Sequence, residues 1–131
     1  MSRALVAAHD EGLLHPDVKP HNVFVEQKND RALLTDFGLA KLAESEEELT
    51  ATSALIGSPP YMPPEQIGSS GEVDERSDVY GLGATLYHLL TGRPPFQAAT
   101  VAATVKQVLE TIPASPRSLN PAVPKDLETL T

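Results

Sequence analysis

The sequence predicts an α+β fold, mostly α-helical with one small β-hairpin. Two observations carry this. Val23-Phe24-Val25 and Ala32-Leu33-Leu34 are short apolar runs on either side of Lys28-Asn29-Asp30, which is a hairpin pattern. After them, the periodic segments repeat at helical spacing, with Val79, Leu82, Leu86, Leu89 and Leu90 the clearest set. Strands first and helices afterwards describe a helical lobe that carries a small hairpin.

The elements follow in order. Ser2 to Gly12 reads as a helix with Leu5, Ala8 and His9 on one side and Gly12 as its stop. It begins without a capping residue, so it is expected to be the rear part of a longer helix. Leu13 to Asn22 is a polar loop punctuated by proline. Asp36 to Glu65 has little hydrophobic period. It carries the acidic run Glu44, Glu46, Glu47, Glu48, then Pro59, Pro60, Pro63 and Pro64, and reads as a long ordered loop of functional type. Ser77 to Thr91 is a helix ended by Gly92. Gly81 and Gly83 each cost it about 1 kcal/mol relative to alanine, so close packing against backbone is expected there. Ala98 to Glu110 is a second helix, with Val101, Val105, Val108 and Leu109. Ile112 to Pro124 is a proline-rich connection, and Lys125 to Thr131 opens a further helix.

Composition removes several function classes. At 131 residues and 40% hydrophobic, the chain suits one soluble globular domain. It has no cysteine, which excludes disulfides, thiolate metal sites and cysteine nucleophiles. His9, Asp10 and Glu11 interrupt the N-terminal stretch where a signal peptide would be apolar. No segment approaches the roughly 18 apolar residues of a membrane helix. The formal net charge of −8 repels nucleic acid and serves solubility. No nucleic-acid partner, no membrane segment in this chain and a cytoplasmic location are therefore expected.

Three clusters carry chemistry: His15-Pro16-Asp17-Val18-Lys19-Pro20-His21-Asn22, then Asp36-Phe37-Gly38, then Gly57-Ser58-Pro59-Pro60-Tyr61-Met62-Pro63-Pro64-Glu65. In this order they resemble the protein kinase family, whose catalytic loop reads H-R-D-x-K-x-x-N, whose metal turn reads D-F-G and whose activation segment closes on A-P-E. Each fixed position matches by chance about once in twenty, so the ordered set is not coincidence. Asp78, Tyr80-Gly81-Leu82-Gly83 and Gly92-Arg93-Pro94-Pro95-Phe96 extend the resemblance over essentially the whole chain. The texture is most similar to bacterial serine/threonine kinases.

The resemblance implies an ATP- and Mg²⁺-dependent transfer of phosphate to serine or threonine hydroxyls of a protein substrate. Asp17 would accept the hydroxyl proton, and Lys19 would stabilise charge on the transferred group. Asn22 and Asp36 would hold Mg²⁺, a hard cation that takes oxygen ligands. The hairpin pattern supports the sharing independently: Asn22 precedes the first run, Asp36 follows the second, and a hairpin brings its ends together. His15 is implied to pack near Phe37 rather than to act as a base. Asp78 is implied to bond the catalytic-loop backbone. His9, His21 and His88 lack metal-ligand spacing and are expected to be solvated, as are Glu44 to Glu48. Gly81-Leu82-Gly83 lacks a third glycine and is not a phosphate loop.

The implied domain is partial: catalytic loop 15–22, metal-binding turn 36–38, activation segment 36–65 and helical region 77–131 of a kinase C-terminal lobe. Pro16 stands where most members have arginine, so an activation-loop phosphate on Thr50, Thr52 or Ser53 would find no cation there. Pro63 replaces alanine of A-P-E, and Ser58 a frequent threonine. The glycine-rich loop and strand lysine of the family have no counterpart before His15, so the N-terminal lobe is expected to be absent and the chain inactive alone. Glu65 is likewise expected to lack its family partner, an arginine. Three readings follow: a catalytic-lobe fragment, a non-catalytic remnant that binds partners, or half of a split kinase completed by a separate N-lobe. An uncovered apolar face would favour self-association.

Overall fold

The computed structural model describes residues 2–15, 17–37, 58–67 and 73–131. Helix α1 (Ser2–Asp10) buries Leu5 and Ala8 as its period predicts. It ends at Gly12, whose φ is +69°. There the amides of Gly12 and Leu13 return to the carbonyls of His9 and Ala8, both at 2.9 Å, which satisfies the last turn.

Strands β1 (Val23–Glu26) and β2 (Arg31–Leu34) form the antiparallel hairpin, in the register Val23↔Leu34, Phe24↔Leu33, Val25↔Ala32, Glu26↔Arg31. Asp30 takes the left-handed turn position (φ 53°), and the Asn29 side chain accepts the Arg31 amide at 3.1 Å. Phe24 remains 57% exposed, and Val25 and Leu33 are also open to solvent among the described residues.

A 3₁₀ turn (Pro59–Tyr61) leads into the short helix α2 (Pro64–Ile67). Residues 64 and 65 of the expected long loop are thus helical, while 38–57, including the glutamate run, lie outside the described residues.

Helix α3 (Glu75–Thr91) is the central element. It starts two positions before the expected Ser77 because Asp74 caps it, accepting the Arg76 amide at 2.8 Å. Gly92 closes it at φ 78°. The buried face differs from the expected leucine stripe. It is built from Ser77, Asp78, Gly81, Ala84, Thr85 and Tyr87, while Val79 and Leu89 are 62% and 64% exposed. The reason is proximity. A Cβ on Gly81 would lie 2.8 Å from Val18 Cβ and 3.1 Å from Val18 O, so only glycine at that position lets the loop of Val18 approach. At Gly83 the nearest atom is 3.8 Å away, so close packing demands glycine only at Gly81.

Helix α4 (Val101–Glu110) begins later than the expected Ala98. Thr100 caps it, and the Thr104 hydroxyl turns the chain back by accepting the Ala98 amide at 3.1 Å. Val108 is buried, whereas Val101 and Leu109 are exposed. The connection from Ile112 to Pro124 contains an unexpected helical turn, α5 (Pro116–Leu119), with proline in its first turn. Asn120 then ties it to α3 by donating to the Leu90 carbonyl at 2.8 Å. Helix α6 (Lys125–Glu128) starts where expected and ends three residues before Thr131. Among the described residues the architecture is helical with one two-stranded sheet, and no helix is long and apolar enough to cross a membrane.

Candidate active site

The loop between α1 and β1 is built around His15. Its amide donates to both carboxylate oxygens of Asp78, at 3.2 and 3.0 Å. Its ring Nδ1 accepts the Asp17 amide at 3.2 Å, which leaves Nε2 to carry the proton donated to the Thr35 carbonyl at 2.7 Å. The ring edge meets Phe37 at a centroid distance of 4.7 Å. His15 therefore ties the loop to the end of β2, and the expected packing roles of His15, Phe37 and Asp78 are all present.

Asp78 is 2% exposed and has a further partner, His9 Nε2 at 2.7 Å. The expectation of a solvated His9 is thereby corrected: a buried carboxylate needs several donors, and the first helix supplies one. His88 is corrected too, since its Nδ1 lies 2.6 Å from the Tyr61 hydroxyl with the rings nearly parallel. His21 is exposed, as expected. Glu65 also has a partner among the described residues: it is half-buried and accepts the Ser77 hydroxyl at 2.9 Å.

Asp17, Lys19 and Asn22 come together around this frame. Lys19 Nζ pairs with Asp17 Oδ2 and donates to Ser58 Oγ at 2.9 Å. Both charged groups remain partly solvated, so the pair is accessible to a ligand. Asn22 is buried in a 3₁₀ turn (Pro20–Asn22), and its Nδ2 donates to the Asp17 carbonyl at 2.8 Å. That use of the amide nitrogen leaves Oδ1 as the oxygen Asn22 can offer a metal. The Thr35 amide donates to the Asn22 carbonyl at 3.0 Å, closing the base of the hairpin. Asp36 follows directly, exposed and at φ +67°, a region a non-glycine residue enters only under local constraint. The hairpin thus brings the segments of Asn22 and Asp36 to one end, as its pattern predicts.

The donor set fits Mg²⁺. Both candidate ligands are oxygens, and Mg²⁺ is a hard cation that takes one or two carboxylates and fills its remaining positions with phosphate oxygens and water.

In the sequence Ser58 stands only as a hydroxyl in place of threonine; its bond to Lys19 joins it to the Asp17–Lys19 pair, a link that its place in the third cluster signals. Tyr61 and His88 had no such signal, because their pairing spans separate elements. Pro16, Gly38, Thr50, Thr52 and Ser53 lie outside the described residues.

Comparison with known proteins agrees with this geometry. A family model described as the protein kinase domain matches residues 1–129. The chain is 41% identical over 128 residues to serine/threonine-protein kinase PknF of Mycobacterium tuberculosis, covering 95% of this chain and 26% of that protein. It is 43% identical over 128 residues to serine/threonine-protein kinase Pkn1 of Myxococcus xanthus, covering 95% and 18%. It is 44% identical over 124 residues to the DNA damage-responsive serine/threonine-protein kinase RqkA of Deinococcus radiodurans, covering 94% and 18%. The chain spans about a quarter or less of the length of these curated relatives. With the ordered clusters, the Asp17–Lys19–Ser58 array and these matches together, the chain belongs to the protein kinase family, among relatives named as bacterial serine/threonine kinases.

Proposed function

We propose that residues 1–131 act as the C-terminal catalytic lobe of a serine/threonine protein kinase, with catalytic loop 15–22, metal-binding turn 36–38, activation segment 36–65 and helical region 77–131. The observation that carries this reading is the position of Lys19, bonded at once to Asp17 and Ser58 beside the base of the hairpin. Phosphoryl transfer asks mainly for positioning and charge stabilisation, and this array supplies both.

Asp17 accepts the proton of a substrate serine or threonine hydroxyl. Lys19 holds the Asp17 carboxylate in place and offers positive charge to the transferred phosphoryl group of ATP. Asn22 Oδ1 and the Asp36 carboxylate would hold Mg²⁺, which would supply positive charge against the phosphates of ATP. The open hairpin face around Phe24 suits packing by a nucleotide-gripping lobe, in the same polypeptide or supplied separately. ATP as donor fits a cytoplasmic site of action.

Radiolabelled phosphate transfer from Mg²⁺-ATP to a serine/threonine protein substrate tests the reading. The chain is assayed alone and with the N-terminal lobe of a relative supplied. Transfer is expected only with the lobe present. Asp36→Ala should abolish it, and Asp17→Ala should lower the rate while sparing ATP binding. Near-normal turnover in both variants overturns the assignment.

A further inference from the structure

The segment Gly92-Arg93-Pro94-Pro95-Phe96 has no part in the site around Asp17. It leaves the end of α3, where Gly92 turns the chain, and leads towards α4. Arg93, Pro94, Pro95 and Phe96, with Gln107 on α4 and Pro113 beyond it, line a cleft of about 180 Å³. That cleft shares no lining residue with the small cavity bordered by Asp17 and Ser58.

Two polar groups at this cleft lack partners among the described residues. The first is Gln107 Oε1, which is buried without a hydrogen bond. An unsatisfied buried acceptor is costly, and native folds hold few of them. The Gln107 backbone, in contrast, is fully used: its carbonyl accepts the Thr111 amide at 2.9 Å and the Thr111 hydroxyl at 2.7 Å. The second is Arg93, which is exposed and forms no ion pair among the described residues. Glu110, on the same helix as Gln107, pairs instead with Lys106 at 3.8 Å.

The walls narrow the ligand class. Pro94, Pro95 and Pro113 contribute carbonyls but no N–H, which favours an occupant that brings donors. Arg93 favours one that brings an anion. A peptide segment with an acidic side chain carries both: its backbone amides donate, and its carboxylate takes a charge-assisted, bidentate bond from the guanidinium. The size agrees. Pockets for drug-sized ligands run from roughly 300 to 1,000 Å³, so this smaller cleft suits one side chain with its flanking backbone. We propose that the cleft is a docking site for an acidic peptide segment of a partner protein. Arg93 bonds the carboxylate, and Gln107 Oε1 accepts a backbone N–H. The site goes beyond the kinase reading and does not depend on it.

Isothermal titration calorimetry of the full chain with end-blocked five-residue peptides tests this. One peptide has glutamate at the centre of four alanines, a second has glutamine there, and sodium acetate is the third probe. The glutamate peptide should bind roughly 10-fold or more tightly than the glutamine peptide or acetate, the scale of a hydrogen bond to a charged group. Arg93→Gln should abolish that preference. Gln107→Leu removes the unpartnered oxygen at similar size. It should weaken the glutamate peptide by roughly 3- to 10-fold, the scale of one net hydrogen bond, while the urea midpoint stays at or above the parent value. Absence of glutamate-peptide binding at millimolar concentration overturns the proposal, as does equal affinity for the glutamine peptide. Acetate binding as tightly as the glutamate peptide would make the cleft a simple anion site, and overturns the peptide class. Unchanged affinity in Gln107→Leu, or a lowered midpoint, means that water or protein already satisfies Oε1, and overturns the part given to Gln107.

Discussion

The Asp78 carboxylate accepts the His15 amide through both oxygens, across 63 positions of sequence. This contact, with His9 on the other side of the same carboxylate, locks the loop of His15 onto α3. Asp78→Ala should destabilise the chain by at least about 3 kcal/mol, because hydrogen bonds to a charged acceptor each contribute about 1.5–3 kcal/mol. Asp78→Asn keeps one acceptor and should cost less. Urea unfolding of the two variants measures the order; equal stability of Asp78→Ala and the parent would contradict it.

Gly81 and Gly83 should respond to alanine with opposite signs. At Gly81 the new Cβ meets Val18, including its backbone oxygen, and overpacking of this kind costs about 1–3 kcal/mol. At Gly83 the new Cβ would make only an ordinary 3.8 Å contact with the Leu130 carbonyl oxygen, so the helix-propensity gain of up to about 1 kcal/mol should show. Denaturant midpoints of both variants check this. Val18 lies between Asp17 and Lys19, so Gly81→Ala should also slow phosphate transfer more than Gly83→Ala does.

Ser58 should matter through its hydroxyl. Ser58→Ala removes the 2.9 Å partner of Lys19 and should lower kcat roughly 3- to 10-fold, the scale of one hydrogen bond. Ser58→Thr keeps the hydroxyl and should retain most activity. Steady-state kinetics with the lobe supplied distinguish the two, and equal rates for both variants would remove Ser58 from the site.

Alkaline pH should loosen the fold. The Tyr80 phenol is pushed above its ordinary value of 10.0 by burial first and by the Glu65 charge second. A folded-state value above the unfolded one means that the folded chain holds the proton more tightly. The resulting stabilisation is complete below pH about 10 and is lost as pH rises through the folded value. Tyr80→Phe should flatten this loss. Glu65→Gln should move the Tyr80 titration down, and should change neutral-pH stability little, since glutamine still accepts from Ser77. Phenolate absorbance against pH, with unfolding at matched pH, tests both statements.

Much of this was legible in the primary structure. The hairpin, the helices and the ordered clusters depend on local pattern: alternation of apolar runs, spacing near 3.6 residues, and a turn residue where the chain reverses. The chemical types at Asp17, Lys19, Asn22 and Asp36 are likewise visible as types, because oxygen ligands, a base and a cation are properties of side chains. Local capping was less legible. Asp74 and Thr100 moved the starts of α3 and α4, since a side-chain acceptor outweighs a weak propensity at a helix end.

The tertiary structure decided which groups meet. No local pattern shows that α3 buries Ser77, Asp78, Gly81 and Thr85 while exposing Val79 and Leu89; that choice comes from the close approach of Val18 to Gly81. Nor could spacing pair His9 with Asp78, Tyr61 with His88 or Ser58 with Lys19, because each contact joins residues far apart in sequence. Sequence by itself determined the elements and the chemical inventory, which are set by short-range sterics and side-chain identity. Folding alone determined the partners, because a buried polar group takes whichever donor or acceptor the packed neighbours bring within hydrogen-bond distance.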